Sequence, residues 1–248
     1  MPDKLYQECR ELIAQGRGVL EDLRMCGIET IPLAEEAELP LCPVTVAADS
    51  EPLKPGIDCR PETLDEIEAE MRNCQGCALC RQRNTLVFGV GNPQAQLVLV
   101  GEAPGREEDQ LGVPFVGEAG RLLDRILFAM KLSRKQVYIC NVIKCRPPQN
   151  RNPSPEEIAA CEPFLQRQLA AIAPRLIVTL GRIASQTLLR SQQPIGQLRG
   201  QWHEYRGLPL MPTYHPAFLL RNPAEKRAVW EDMKQVLALL REKPEAKS

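Results

Sequence analysis

Four short apolar runs, separated by segments with the apolar spacing of helices, constrain the fold of this 248-residue chain most strongly. They cover residues 97–101, 137–143, 176–180 and 208–213. Such runs are typical of strands buried on both faces, and their alternation with helices predicts a parallel sheet between two helical layers. We therefore expect an α/β fold, a three-layer α/β/α domain with a central four-stranded, mostly parallel sheet.

The apolar spacing also predicts helices and a boundary between segments. The predicted helices of the main domain lie at 62–73, 118–131, 155–172, 182–190 and 223–241. Residues 3–25 show further helical spacing, whereas residues 26–60 hold five prolines among Ala, Glu and Asp. We interpret residues 1–60 as a helical extension and proline-rich linker, residues 61–243 as the main domain, and residues 244–248 as a disordered tail.

Charge and hydropathy exclude several classes of protein. The formal net charge is −1, so a nucleic-acid partner would need a local basic surface rather than a basic chain. No apolar run is long enough to span a membrane, and the N-terminal residues lack the apolar core of a signal peptide. We predict a cytoplasmic monomer.

The ten cysteines need an explanation other than disulfides, because thiols stay reduced in the cytoplasm. The relevant ones are Cys74, Cys77, Cys80, Cys145 and Cys161. A C-x2-C pair brings two sulfurs to one metal or cluster, and a second pair from elsewhere in the chain completes the site. The two histidines of the chain are not near these cysteines in sequence, so the site would be all thiolate. This suits either a structural zinc ion or an iron-sulfur cluster, and Cys161 could instead be a core residue.

Three predicted strand ends carry glycine-rich or polar residues. The segment GEAPGREEDQLGVPFVGEAG begins at residue 101, Asn141 lies within VYICNVIKC, and His215 follows the strand at 208–213. Ligands of open parallel sheets bind at the carboxyl ends of the strands. We therefore expect an acidic loop, an amide and an imidazole to converge on one pocket.

Five segments together resemble the family 4 uracil-DNA glycosylases: NCQGC, VFGVGNP, VGEAPGREEDQLGVPFVGEAG, YICNVIKCRPPQNRNP and YHPAFLLRNP, in this order. The resemblance covers roughly residues 65–240. It implies a sheet of the uracil-DNA glycosylase type, a structural 4Fe-4S cluster, and hydrolysis of the bond between uracil and deoxyribose in DNA. It further implies Cys74, Cys77, Cys145 and Cys161 as the cluster ligands, with Cys80 in excess.

The resemblance also places a uracil base in the pocket at the strand ends. A base must rotate out of the duplex before an enzyme can act on it. Phe115 is expected to stack on the base, and Gly101, Glu102 and Ala103 to line the pocket. We expect the amide of Asn141 to accept from uracil N3–H and to donate to O4. Cytosine presents the opposite pattern of donors and acceptors, so a fixed Asn141 would reject it.

Departure of uracil leaves negative charge on the base and cationic character on the sugar. We expect His215 to donate a hydrogen bond to uracil O2. The candidates for assisting the attacking water are Glu102, Glu108 and Asn150. Ala103 stands where a better-known branch of the superfamily has a carboxylate, so the task falls to one of these three residues or is left largely to leaving-group stabilisation.

Contacts with DNA are expected on either side of this pocket. Leu219 resembles the superfamily's wedge, which fills the gap left by the extruded base. The candidates for phosphate contacts are Arg146, Arg151, Arg199 and Arg221. Two alternatives to a uracil glycosylase stay open: a relative that acts on other deaminated bases or bonds covalently to DNA, and a non-catalytic iron-sulfur module that binds DNA.

Overall fold

The computed structural model describes residues 62–242. The predicted helical extension, the linker and the tail lie outside the described residues. The α-helices are α1 (Leu64–Arg72), α2 (Arg106–Leu111), α3 (Glu118–Ala129), α4 (Pro155–Ile172), α5 (Arg182–Leu189), α6 (Ile195–Leu198), α7 (Pro216–Arg221) and α8 (Lys226–Arg241). The strands are β1 (Val90–Gly91), β2 (Leu97–Gly101), β3 (Tyr138–Asn141), β4 (Leu176–Leu180), β5 (His203–Tyr205) and β6 (Leu208–Thr213). Short 3₁₀ turns lie at Ala78–Arg81, Pro148–Asn150 and Pro223–Glu225.

The strands form one sheet in the order β1-β3-β2-β4-β6-β5. Its four central strands are parallel, which confirms the predicted four-stranded core. Strands β1 and β5 add antiparallel edges on either side. They were not predicted because runs of two and three residues are too short to show an alternating pattern.

Both faces of the sheet are covered by helices. Every residue of β2, β3 and β4 is buried. On one face these strands pack with α4 and α5, and on the other with α3, α7 and α8. Full burial of each Val, Leu or Ile side chain contributes about 1.5–3 kcal/mol, so the central strands carry much of the stability. None of the helices within residues 62–242 is long and apolar enough to cross a membrane.

Two local features position the loops at the carboxyl ends of the strands. Helix α4 begins with a capping box, in which Ser154 and Glu157 each accept the other's backbone N–H. This fixes where the proline-rich loop after β3 ends. The acidic segment after β2, which we expected to be a loop, contains the short helix α2, and Gly112 ends that helix with a φ of +71°.

Candidate active site

A cavity of about 430 Å³ lies at the carboxyl ends of β2 and β3 and beyond the end of β6. Nine residues singled out from the sequence line it. They are Glu102, Ala103, Glu108, Phe115, Asn141, Asn150, Arg151, His215 and Arg221. The three polar strand ends therefore converge on one pocket, as the parallel topology predicted.

Asn141 presents an unused acceptor at this cavity. It is the last residue of β3, it is 1% exposed, and it pairs in register with Gly101 of β2. Its Oδ1 is buried and has no hydrogen-bond partner among the described residues. Buried polar atoms nearly always have a partner, so this oxygen is available to a ligand. Gly101 makes the room for it, because a Cβ there would overlap Oδ1 of Asn141 and lie 2.6 Å from Cζ of Phe115.

Phe115 adopts a backbone conformation that the surrounding residues must stabilise. Its φ is +56°, in the left-handed region that costs a bulky residue free energy. The guanidinium of Arg134 donates to the carbonyl oxygens of Pro114 and Phe115. Gly120 lets α3 approach closely, since a Cβ there would overlap the Phe115 carbonyl. This conformation places the ring 5.5 Å from that of His215, tilted by 31°.

His215 is held as a neutral hydrogen-bond donor. Its Nδ1 caps α7 by accepting from the backbone N–H of Ala217 at 3.1 Å. An accepting Nδ1 places the proton of the neutral ring on Nε2. Burial lowers the imidazole pKa to about 4; Glu108 opposes this fall and Arg221 adds to it. Near pH 7 the ring therefore offers one N–H donor and carries no charge.

The two candidate carboxylates differ in what they already contact. Oε1 of Glu108 accepts from the backbone N–H groups of Val116 and Gly117 at 2.9 and 3.1 Å. Glu108 thus fastens the acidic segment to the start of α3. No described residue donates a hydrogen bond to the Glu102 carboxylate; burial raises its pKa, and the charge of Arg182 opposes the rise. Glu102 is therefore the freer of the two to contact a ligand or a water.

Asn150 reaches the cavity from the proline-rich loop. Gln149 and Asn150 both have a φ of +54°, so the loop turns sharply at this point. Oδ1 of Asn150 accepts from Nε of Arg146 at 2.7 Å. Arg146 therefore orients the Asn150 amide. Its other guanidinium N–H groups remain for the predicted contact with phosphate.

Three of the predicted thiols pack together: Cys145 lies in a core cluster, and Cys77 and Cys161 pack against it. Cys145 is buried, and Cys74, Cys77 and Cys161 are half-buried. Burial raises the pKa of Cys145, Arg83 opposes the rise, and Cys77 and Cys74 add to it. Burial also raises the pKa of Cys161 to about 11, while Lys144 opposes the rise and Cys145 and Cys77 add to it. The four thiols therefore lie near one another, and Cys140 is 1% exposed in the same core.

The donor set of this region is all thiolate. Among residues 62–242, no three His, Cys, Asp or Glu side chains lie close enough together to hold a single metal ion. Four cysteines are ligands both of structural zinc ions and of iron-sulfur clusters, so the chemistry of this set fits either centre. Nη1 of Arg83 also donates to Sγ of Cys145 at 3.3 Å.

Comparison with known proteins agrees with this geometry. The sequence model of the Uracil DNA glycosylase superfamily matches residues 88–234. The type-4 uracil-DNA glycosylase of Archaeoglobus fulgidus is 43% identical over 183 residues, covering 71% of this chain and 92% of that protein. The type-4 enzyme of Saccharolobus solfataricus is 42% identical over 192 residues (74% and 89%), and that of Thermotoga maritima 41% over 186 residues (73% and 97%). The chain belongs to the type-4 uracil-DNA glycosylase family.

In this type-4 family member, two arginines predicted to contact DNA are committed to carboxylates. Arg199 pairs with the fully buried Asp232 through two hydrogen bonds, and its guanidinium lies over the ring of Tyr214. Arg199 is therefore not available to phosphate, which corrects the prediction. The buried carboxylate of Asp232 needs a positively charged partner, and the spacing of the two residues in the sequence does not reveal the pair. Arg151 forms a two-pronged contact with Glu157 at 2.8 and 2.6 Å.

Arg221 is the candidate with an unoccupied guanidinium. It is exposed at the cavity, and no described residue forms a hydrogen bond or ion pair with it. Its charge contributes to the lowering of the His215 pKa. Arg221 is therefore the predicted arginine that is free to contact a phosphate.

The predicted wedge, Leu219, is not exposed at the surface in this structure. This residue is 1% exposed and packs in the core between the sheet and α8. A wedge must project from the surface between base pairs, and α7 turns Leu219 inward. The next residue, Leu220, is 42% exposed, so it is the apolar side chain that α7 presents outward beside Arg221.

Three residues that support the site were missed by the sequence analysis. Arg134 holds the backbone at Phe115, Arg182 acts on the Glu102 carboxyl, and Lys144 contacts the Asn141 backbone. The first two are charged residues of helix ends and loops, which give no sequence signal. Lys144 did give one, because a lysine inside the apolar run YICNVIKC must find buried partners.

Proposed function

We propose that this protein removes uracil from DNA by hydrolysing the bond between the base and deoxyribose, leaving an abasic site. The observation that carries the proposal is the buried, unpartnered Oδ1 of Asn141, which lies beside the ring of Phe115. Membership of the type-4 family supports it independently, since three relatives named for this activity are each at least 41% identical.

Base recognition follows from the fixed amide. Uracil extruded from the duplex stacks on Phe115, Oδ1 of Asn141 accepts from N3–H, and Nδ2 donates to O4. Cytosine has an acceptor at N3 and a donor at the 4-position, so both contacts would become repulsive. Each polar group left unpaired in a buried site costs about 1–3 kcal/mol, which is enough to give strong discrimination.

Leaving-group stabilisation is assigned to His215. As the bond breaks, negative charge develops on uracil, and Nε2–H of the neutral imidazole donates to O2. Because the donor is held by the cap on α7, it need not reorganise during the reaction. Loss of one such donor typically costs 10²–10³-fold in rate, roughly 3–4 kcal/mol.

Stabilisation of the positive charge on the sugar is assigned to Glu102. The deoxyribose becomes cationic as uracil leaves, and a carboxylate without other hydrogen bonds can stabilise that charge or orient the attacking water. Glu108 supports this site through its contacts with Val116 and Gly117. Asn150, oriented by Arg146, is proposed to help hold the water.

Contacts with DNA are assigned to the exposed end of α7. Arg221 provides the positive charge for a phosphate, and Leu220 replaces Leu219 as the apolar side chain proposed to enter the gap in the base stack. Arg146 and Arg151 flank the cavity on the proline-rich loop. A monomeric state and a cytoplasmic location stay predictions from the sequence.

A 4Fe-4S cluster held by Cys74, Cys77, Cys145 and Cys161 is proposed for the cysteine centre. Its support is the packing of Cys77 and Cys161 against the core cluster that contains Cys145, the all-thiolate donor set, and membership of the type-4 family. A bound cluster would join the segment after α1 to the segment after β3 and to α4, and we assign it no step of the hydrolysis. Purified protein should be brown and contain about four irons per chain; colourless protein that contains zinc would contradict the proposal.

Uracil release is the experiment that tests the proposed function. The protein is mixed in excess with oligonucleotides that carry uracil, thymine or cytosine at one position, and free base is measured by chromatography. We expect uracil and an abasic site from the first oligonucleotide and no base from the others. If the loaded protein binds the uracil-containing strand without releasing uracil, the non-catalytic alternative replaces this proposal.

A further inference from the structure

Lys144 is a fully buried lysine with an unusual set of partners. It follows Asn141 by three residues, directly precedes Cys145, and is 0% exposed. Its Nζ donates to the backbone carbonyl of Asn141 at 2.7 Å and to Oε1 of Gln168 at 2.5 Å. No carboxylate of the described residues pairs with it. The ammonium therefore contacts two neutral oxygens, one of which belongs to the residue that presents the unused amide.

Gln168 is fixed so that its oxygen must face Lys144. It is fully buried on α4, and its Nε2 donates to the carbonyl oxygen of Phe88 at 3.1 Å. The same nitrogen lies 3.5 Å from the Tyr138 hydroxyl. With its amide nitrogen on these groups, Gln168 can offer only its oxygen to the ammonium. The lysine head is thus held between α4 and the carbonyl of Asn141.

The backbone around Lys144 joins the uracil pocket to the cysteine centre. The N–H groups of Val142 and Ile143 donate to the carbonyl oxygens of Gly101 and Glu102 at 2.9 and 3.1 Å. The carbonyl oxygen of Lys144 accepts from Val87 at 2.9 Å. Residues 141–145 therefore carry the Asn141 amide, proposed to bind uracil, at one end and the Cys145 thiol at the other. One side of this segment forms a wall of the pocket.

Charge explains why a lysine stands at this position. A buried ammonium without an opposite charge is costly. Lys144 directly precedes Cys145, and its partner Gln168 follows Cys161 by seven residues on α4, on the same face of that helix. Four thiolates on a bound cluster would supply the missing negative charge beside it. The lysine therefore fits the occupied centre better than the empty one.

We propose that Lys144 is a positioning residue that couples the cysteine centre to uracil recognition by holding the carbonyl of Asn141. The inference rests on the proposed function. Through Lys144, the cysteine centre would help to set the orientation of the Asn141 amide, in addition to joining segments of the fold. Since a misplacement of about 1 Å can cost about 10²-fold in rate, loss of the lysine head should reach the chemistry without any contact with the base.

The test compares Lys144→Met, which removes the charge but keeps the length of the stem, with Val236→Ala. Val236 is fully buried on α8, on the other face of the sheet and outside the pocket, so its truncation controls for lost stability. Four quantities are measured: iron content, reduction potential of the cluster, affinity for abasic product DNA, and single-turnover uracil release. Lys144→Gln, which is neutral but keeps a donor, provides a second variant if Lys144→Met does not fold.

We expect Lys144→Met to keep its iron and its affinity for product DNA while uracil release falls at least about tenfold. The reduction potential should move to more negative values, because a positive charge that favours the reduced cluster has been removed. Val236→Ala should keep the wild-type potential and rate. Wild-type release from Lys144→Met, a wild-type potential, or loss of iron in both lysine variants would overturn the proposal.

Failure of this proposal and failure of the proposed function remain distinguishable. Wild-type protein that releases no uracil would refute the function, whatever the lysine variants do. The reduction potential is measured without DNA, so it reports on Lys144 and the cysteine centre in either case. A shifted potential with an unchanged rate would separate the lysine from uracil recognition and refute the coupling alone.

Discussion

The rings of Phe115 and His215 lie 5.5 Å apart and are tilted by 31° on the same wall of the cavity. One is a flat apolar surface, and the other carries a single N–H donor. Phe115 reaches this place through a left-handed backbone, and His215 through its role as the cap of α7. The pair therefore brings a stacking surface and a donor for developing negative charge to one base-sized site.

Asn141→Asp should abolish most uracil excision while the protein still folds. A carboxylate keeps the shape of the side chain but cannot donate to uracil O4, and its charge opposes the leaving uracil anion. We expect the single-turnover rate to fall by about 10²-fold or more, with thermal unfolding used to check the fold. Asn92→Asp is the matched control, because Asn92 lies in a loop away from the pocket and its side-chain Oδ1 accepts from the backbone N–H of Gln94. Retained excision by Asn141→Asp would remove the account of specificity.

Gly101→Ala should impair excision through crowding. An added Cβ would overlap the Asn141 side chain and the Phe115 ring, and these are the two groups that hold the base. We expect about a 10²-fold loss of rate, with weaker binding of free uracil measured by calorimetry. Gly196→Ala places the same methyl group 3.7 Å from its nearest neighbour and should behave as wild type. Equal rates for the two variants would show that the pocket can expand.

The pH dependence of stability should report on His215. Its pKa is about 4 in the folded protein, against 6.5 for an unperturbed imidazole, so the unfolded chain binds more protons between these values. The contribution of His215 to stability is therefore complete above about pH 6.5 and is lost as the pH falls towards 4. Urea unfolding at pH 5 and pH 7 should show a smaller change for His215→Gln than for wild type. An equal change in the two proteins would show that burial does not lower the pKa of His215.

Replacing each carboxylate by its amide should distinguish the roles of Glu102 and Glu108. Glu102→Gln removes the carboxylate that no described residue bonds, so we expect the larger loss of rate, about tenfold or more. Glu108→Gln keeps an oxygen for the N–H groups of Val116 and Gly117 and should retain most of the activity. Glu108→Ala removes that acceptor and should lower the free energy of unfolding by about 1–3 kcal/mol. A greater loss of rate in Glu108→Gln than in Glu102→Gln would reverse the assignment.

Much of the fold was predictable because buried strands and amphipathic helices leave a strong pattern in the sequence. The structure begins and ends β2, β4 and β6 at the predicted residues, and α4 likewise. Helix α2 was missed because a six-residue acidic segment flanked by glycines also satisfies the pattern of a loop.

Within the site, residue types were predictable, but their partners were not. Convergence of Asn141, Phe115 and His215 follows from parallel strands and could be expected from the sequence. The orientation of Leu219 depends on how α7 packs, and the commitment of Arg199 depends on a buried carboxylate 33 residues away. Those facts exist only in three dimensions, so the sequence supplied candidates and the structure selected among them.

A crystal structure of the protein with uracil bound tests the central claim most directly. We expect uracil to stack on Phe115, with Oδ1 of Asn141 about 2.9 Å from N3 and Nε2 of His215 within hydrogen-bond distance of O2. The buried Asn141 oxygen would then have its missing partner. Uracil bound elsewhere, or an Asn141 oxygen that faces water or another protein group in the complex, would contradict the account.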